Sequence, residues 1–433
     1  MQTFTRDTIL QGVDLTYIGT DKFKTGYLSA CLTAPLSKKT AAYNAVLPSV
    51  LRRGTSTYPD MESIAAALDE MYGAEIEPVV RKRGEAQIFG FVSSFADDRF
   101  LPGYERIFEH VSTLMAEMLI HPNTFHGRLN EEYVKSEKQN LIDEIRSELN
   151  NKQTYAVNRM LENMYKDEPY SVNRLGSESE ARKISVATLT KHYHRVLSSS
   201  KIEIFYCGSL EYSRVKDALI SAFSSLPRGE IEPEIVTEVT DIPNDREIKV
   251  IKETMPNITQ GKFAMGVRLG RNYRQLSIAA LYVFDAVYGG CLTSKLFTNV
   301  RERLSLCYYA SSSVDIFKGV MYVRSGIDRE KYDIASKEIL SQLENMKNGD
   351  ITDDEIENAK KKLITDLKRV TDYQQASERY FIDRFAAGIF FTPDEMIELI
   401  GRVTKDDLVK VAESVKPDTI YFLYGEEEAD DEQ

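Results

Sequence analysis

The chain has 433 residues, 42% hydrophobic and 28% charged, with a formal net charge of −12. These values fit a globular protein with room for two or more cores and exclude a disordered or fibrous chain. The surplus of carboxylates opposes phosphate binding, and no basic stripe with interleaved aromatics occurs, so nucleic acid is not an expected partner.

No apolar run approaches the ~20 residues that span a bilayer, so no membrane partner is expected. The opening stretch MQTFTRDTILQGVDL lacks the basic-then-apolar order of a secretory signal. A cytoplasmic location follows as the expectation. Cys31, Cys207, Cys291 and Cys307 show no CxxC spacing, which favours reduced, buried thiols over disulfides or a thiolate metal site.

In chain order, the first half runs from about residue 25 as a strand GYLSACLTA, a helix TAAYNAVLPSVLRRG, a helix DMESIAAALDEMYG, and strands around EIEPVVRKR and EAQIFGFVSSF. Pro48 removes a backbone donor from the first helix and its ring crowds the Asn44 carbonyl. That costs an interior helix about 3 kcal/mol, so a kink or a late start is expected there. Two amphipathic helices follow, LPGYERIFEHVSTLMAEML and RLNEEYVKSEKQNLIDEIRSEL. A helix and strand, SVATLTKHYHRVLSSSKIEIFYCGSL, close the half. The stretch PRGEIEPEIVTEVTDIPNDREI, with its prolines and alternating acids, suits an extended linker.

From about residue 261 the same order returns: strand GKFAMGVRL, helix QLSIAALYVFDAVYGG, helix TSKLFTNVRERL, strands YYASSSVDI and GVMYVRSGI, two amphipathic helices, and a closing helix and strand TKDDLVKVAESVKPDTIYFLYGE. Such repetition predicts a duplication. The expected fold is α+β, two duplicated domains that are each an antiparallel-rich sheet covered by helices. The expected boundaries are domains over 1–227 and 251–425, a linker over 228–250, and a solvated acidic tail over 426–433. His110, His121, His126, His192 and His194 form no metal-ligand pair and are expected to be ordinary surface histidines.

The stretch GGCLTSKLFTNVRERLSLCYYASSS, with KDEPYSVNRLGSESEARKISVATLTKHYHRVLSSSKIEIFYCGSL in the first half, resembles the insulinase/pitrilysin-type zinc peptidases. The likeness is to the ~50 kDa subunits of the mitochondrial processing peptidase kind, of LuxS/MPP-like metalloprotease fold, and it covers nearly the whole chain. Active members carry an inverted motif, His-x-x-Glu-His, just before a Gly-Thr. Its histidines bind zinc and its glutamate is the general base on the metal-bound water. Counting back from Gly54-Thr55, those places are held by Ala45, Pro48 and Ser49. Both nitrogen ligands and the base are missing, so this chain is expected to hold no metal and use no cofactor. The resemblance makes Glu144 the counterpart of the third ligand, with Glu137 two turns earlier. Read as residues, both are solvated helix carboxylates, and that is the stronger reading.

The resemblance further implies that Arg301 and Tyr308, seven apart in RERLSLCY, match a pair that holds substrate backbone and supports the oxyanion of the tetrahedral intermediate. Otherwise they are an exposed helix arginine and a strand tyrosine packed on the core. The strand near AEIEPVVRK corresponds to the edge on which active members align substrate as an added strand. Gly289 and Gly290 either form a flexible loop over the chamber or end a helix. Two functions compete. One is a non-catalytic subunit that binds peptide and supplies Arg301 and Tyr308 to a homologous, zinc-bearing partner, with pairing to itself as a homodimer left open for the isolated chain. The other is a structural or peptide-binding scaffold, like the core subunits of the respiratory cytochrome complex, which resemble this family.

Overall fold

The computed structural model describes residues 3–103, 105–240, 246–270, 277–385 and 388–426. The expected acidic tail lies, after Glu426, outside the described residues, as do 241–245 of the expected linker. Over 231–240 that linker forms neither helix nor strand.

The first half begins with strands β1 (Thr3–Leu10) and β2 (Val13–Gly19), which the sequence pattern did not announce, followed by β3 (Thr25–Pro35). Helices α1 (Ala41–Leu51) and α2 (Met61–Glu70) precede the hairpin β4 (Glu75–Arg83) and β5 (Ala86–Ala96). Next come α3 (Ile107–Ile120), a small ribbon of β6 (Thr124–Phe125) and β7 (Arg128–Leu129), α4 (Glu131–Ser147), α5 (Lys152–Met164), α6 (Glu178–Arg182), α7 (Val186–Ser199), β8 (Lys201–Gly208) and α8 (Tyr212–Ala222). The second half contains β9 (Lys249–Thr254), β10 (Gly261–Arg268), α9 (Ile278–Asp285), β11 (Cys307–Asp315), β12 (Val320–Ile327), α10 (Tyr332–Lys347), α11 (Asp353–Val370), α12 (Gln374–Phe385), α13 (Pro393–Arg402), α14 (Lys405–Ser414) and β13 (Lys416–Tyr424).

The sheet orders are β1-β2-β8-β3-β5-β4 and β11-β12-β10-β13-β9. In both, the first long strand pairs antiparallel with a hairpin strand and with the half's last strand, and that last strand pairs parallel with one further strand. Laid side by side, β4-β5-β3-β8-β2 corresponds to β11-β12-β10-β13-β9, and β1 is the addition. The α+β duplication read from the sequence is therefore present strand for strand.

The chain forms two compact units that are not contiguous in sequence. One holds Met1–Arg146, Val172–Val236 and Asp372–Phe390; the other holds Ser147–Ser171, Thr237–Thr371 and Phe391–Gln433. In the first unit, α1, α2, α3, α4 and α7 bury their apolar faces on one side of the sheet, around Leu28, Ala30, Phe89 and Phe91. α12 covers the other side. Its Glu378 takes both terminal nitrogens of Arg81, at 3.1 and 2.8 Å, its Phe381 stacks on Phe4, and Gln374 bonds Thr25 and Cys207 carbonyls.

In the second unit α5 plays the matching part. Met160 and Met164 sulfurs lie where a Cβ on Gly266 would be, at 2.6 and 2.4 Å. Only glycine lets the helix come this close to the strand. Arg268 donates to the Met164 carbonyl at 2.9 Å, and Tyr170 to Asp315 at 2.6 Å. No described helix is long and apolar enough to cross a membrane.

Candidate functional site

Helix α1 carries Ala45, Pro48 and Ser49, the places that the family resemblance aligns with the inverted motif. It does not break at Pro48: the backbone bond before the proline, Asn44 N–H to Thr40 at 2.9 Å, and the one after, Arg52 N–H to Pro48 at 3.0 Å, are both made. In place of the expected late start, α1 runs from Ala41 through the proline to Leu51. Its buried face explains the tolerance. Ala45 is 5% exposed, and Pro48 is buried beside Leu47, Leu51, Phe89 and Tyr193, around a void of about 10 Å³. A site of that size and lining stays dry. Ser49 is half-buried.

Zinc needs deprotonated thiolate, imidazole or carboxylate donors. Ala45 and Pro48 have none, and Ser49 offers a neutral hydroxyl. Among the described residues no group of three or more His, Cys, Asp or Glu is placed for a metal. The residues do not fit zinc. Glu144 pairs with Arg174 at 3.3 Å and is half-exposed, whereas Glu137 pairs with Arg53 at 3.0 Å with only 11% of its side chain exposed. Glu137 is therefore not a solvated carboxylate, and both acids are held by arginines.

His192 is the buried exception to the expectation of surface histidines. At 8% exposure it bonds through Nε2 to Asn44 Oδ1 at 2.6 Å. Asn44 donates to Gln87 at 2.9 Å, and Gln87 donates to the Ala41 and Arg174 carbonyls at 3.0 and 2.6 Å. Because Arg195 only donates, its contact with His192 Nδ1 puts the imidazole proton on Nε2. Burial, and then the Arg195 charge, lower the His192 pKa to about 4. One residue before the first vacated ligand position, a chain of neutral hydrogen bonds thus fastens α1 to β5 and α7. Asn44 and Gln87, both fully buried, were not singled out from the sequence; polar residues inside an apolar helix and strand were the available signal.

Strand β4 is the sheet edge, as the sequence reading placed it. Arg52 Nε donates to the Ile76 carbonyl at 2.7 Å, and its other nitrogen holds Glu77 at 2.6 Å. Pro78, two residues on, has no N–H. Along a strand, backbone groups of alternate residues point the same way, so 76, 78, 80 and 82 present theirs outward, where a proline is tolerated. The Lys82 carbonyl is taken by Arg83 at 2.7 Å. What remains for an added strand is the Pro78 carbonyl and both groups of Val80.

In the second unit, the expected helix TSKLFTNVRERL is present over Leu296–Arg303 but wound with π-type turns, as is Ala286–Gly290 following α9. Such turns are rare and concentrate at functional positions. Arg301 is exposed in the wide turn, with its guanidinium 4.5 Å from the Phe297 ring centre. Ser305, at φ 49°, reverses the chain into β11. Pairing of β11 with β12 skips from Cys307 to Tyr309, so Tyr308 is the extra residue of a bulge. A bulge re-aims a side chain, and Tyr308 is 64% exposed. It does not pack on the core.

Gly289 is buried, with the backbone nitrogen and hydroxyl of Ser312 at 2.6 and 2.7 Å from where a Cβ would stand. Gly290 ends the wide turn, so of the two readings the pair ends a helix. Ser312 donates to Asp285 at 2.6 Å, and burial raises that carboxyl to about 6.

The sequence profile described as "Peptidase M16 inactive domain" matches residues 183–363. The probable inactive metalloprotease YmfF of Bacillus subtilis is 30% identical over 420 residues, 96% of this chain and 97% of its own. The crystal structure of a conserved protein from Enterococcus faecalis V583 matches at a TM-score of 0.87 and 27% identity, over 99% of this chain and 100% of that one. A chain of complex III2 from Candida albicans shares the fold at a TM-score of 0.71 and 14% identity, over 98% of this chain and 95% of its own.

Proposed function

This chain belongs to the peptidase M16 family, the insulinase/pitrilysin-type peptidases, as an inactive member, and on that premise we propose that it is the metal-free subunit of a two-subunit zinc peptidase. It holds unfolded peptide and supplies Arg301 and Tyr308 to the zinc site of a homologous partner, in the cytoplasm. The observation that carries this reading is the exposure of Tyr308 on a bulge beside the wide turn of Arg301. A large aromatic held out of the core by an irregular strand costs apolar burial, and that cost is offset when the hydroxyl meets a partner.

In the paired state the tyrosine O–H donates to the oxygen of the substrate carbonyl as charge develops there. The guanidinium offers a planar fork to substrate backbone carbonyls. The partner's zinc supplies the activated water. The groups left free on β4 support peptide held over about three residues by main-chain bonds. The scaffold reading is favoured by the fold shared with a chain of complex III2, and it needs neither side chain.

Reconstitution with the zinc-bearing homologue separates the two. Tyr308→Phe should leave assembly and Tm unchanged and lower kcat by about 10²–10³, while Arg301→Ala should raise KM as well, since it acts on bound substrate before reaction. Wild-type kinetics in both variants would leave the scaffold reading standing.

A further inference from the structure

At the amino-terminal end of edge strand β4, on the sheet face that carries α12, the first unit has an open cavity of about 450 Å³. Phe23, Tyr27 and Tyr373 form its aromatic walls, and Glu75, Glu77 and Asp372 supply its carboxylates. Neither the vacated motif positions nor Arg301 and Tyr308 line it. We propose that this cavity binds a small organic cation, an alkylammonium or guanidinium group.

The chemistry of the lining selects that class. Aromatic faces attract cations through their quadrupole, and a carboxylate beside them completes such a site. Tyr373 is 66% exposed, a ring presented to solvent at the mouth. Tyr27 is only 6% exposed, and its hydroxyl has no hydrogen-bond partner, so a buried acceptor remains for an N–H donor. The cavity also draws on the protein's own cations. Lys22 reaches Asp372, and Arg52 reaches Glu77 at 2.6 Å. Three carboxylates less these two cations leave one net negative charge, and Glu75 has no ion pair among the described residues. An anion would be repelled, and a neutral apolar ligand would strip water from the carboxylates without replacing it.

Lys22 has a second role in this reading: it competes with the ligand for Asp372. Glu75→Gln and Lys22→Ala should therefore act in opposite directions, which damage to the fold does not do.

The ligand group belongs either to a free amine or to a basic side chain of a polypeptide. Titration calorimetry on the purified full chain, with no partner and no peptidase assay, distinguishes these and stands or falls apart from the subunit reading above. The probes are argininamide and 1,5-diaminopentane as free cations, a capped pentapeptide Gly-Ser-Arg-Ser-Gly, and the same peptide with citrulline, a neutral isostere, in place of arginine. A cationic probe should bind saturably, and the citrulline peptide about tenfold more weakly than the arginine peptide. Glu75→Gln should weaken the cation about tenfold and Lys22→Ala should tighten it, with unchanged circular dichroism in both. Tighter binding of the arginine peptide assigns a polypeptide source; tighter binding of a free amine assigns a small molecule. No saturable binding of any cation, a citrulline peptide that binds as tightly as the tightest cationic probe, or weakening by Lys22→Ala overturns the proposal.

Discussion

Acid should weaken this protein through one buried imidazole. In the unfolded chain His192 takes up a proton near pH 6.5, while in the fold burial and Arg195 hold it back to about 4. The unfolded state binds the extra proton first, so this contribution is fully present above pH 6.5 and is lost as pH falls toward 4. At about 1.4 kcal/mol per pH unit, the loss reaches ~3 kcal/mol by pH 4. His192→Gln keeps a donor toward Asn44 and removes the titration. Urea unfolding of both proteins at pH 7 and pH 4.5 should show the variant losing less stability on acidification. A parallel loss in both would mean that other groups carry the acid sensitivity.

Helix α1 is packed as a core element at the places that the family resemblance aligns with the zinc motif, and this limits restoration of that motif. Restoring the motif by Ala45→His, Pro48→Glu and Ser49→His inserts an imidazole at a site 5% exposed and a carboxylate against an apolar void. Overpacking costs about 1–3 kcal/mol per site, and an unpaired buried carboxylate costs several more. The triple variant is expected to fold poorly and to bind no stoichiometric zinc, as read by Tm and metal analysis. Zinc at one equivalent in a protein of wild-type Tm would show that the helix can be repacked at little cost. α12 makes the opposite case, an element held by charge. Glu378 is fully buried against Arg81, itself 8% exposed. Glu378→Ala removes both hydrogen bonds of a buried guanidinium and leaves it only Asp383, at 3.8 Å, which should cost about 3 kcal/mol, measured by denaturant unfolding. Glu378→Ala with Arg81→Met removes both charges and should recover most of that loss.

At the scale of the whole molecule, each compact unit is completed by a segment from the other half of the chain. Residues 147–171 complete the second unit and 372–390 the first. Fragments 1–236 and 237–433 would each lack a helix that covers one face of their sheet. Unit one would expose the face with Arg81 and Phe205, and unit two the cluster of Ala264, Val320, Tyr421 and Leu423. Separate expression should give fragments without a cooperative thermal transition, and co-expression should give a soluble complex with one. A cooperative transition in either fragment alone would show that its sheet needs no such cover.

The sequence by itself determined the duplication, since strand and helix order repeats and hydrophobic period 2 or 3.6 is a local property. It also determined that no zinc ligands stand at 45 and 49, because residue identity needs no geometry. The β4 edge was implied by the family resemblance, not by the hydrophobic pattern. Only the tertiary structure decided which half covers which sheet. The buried face of α12 mixes Gln374, Ser377, Glu378 and Asp383 with Phe381 and Phe385, so its amino-terminal turns carry no apolar stripe to read. α5 did carry a stripe, Ala156, Met160 and Met164, but a stripe does not name its sheet. The burial of His192 likewise depended on Asn44 and Gln87 arriving from distant elements. Tyr308 sits outside the core because a bulge shifts register by one residue, and a one-residue slip moves a side chain to the other face while leaving the alternating pattern in the sequence unchanged.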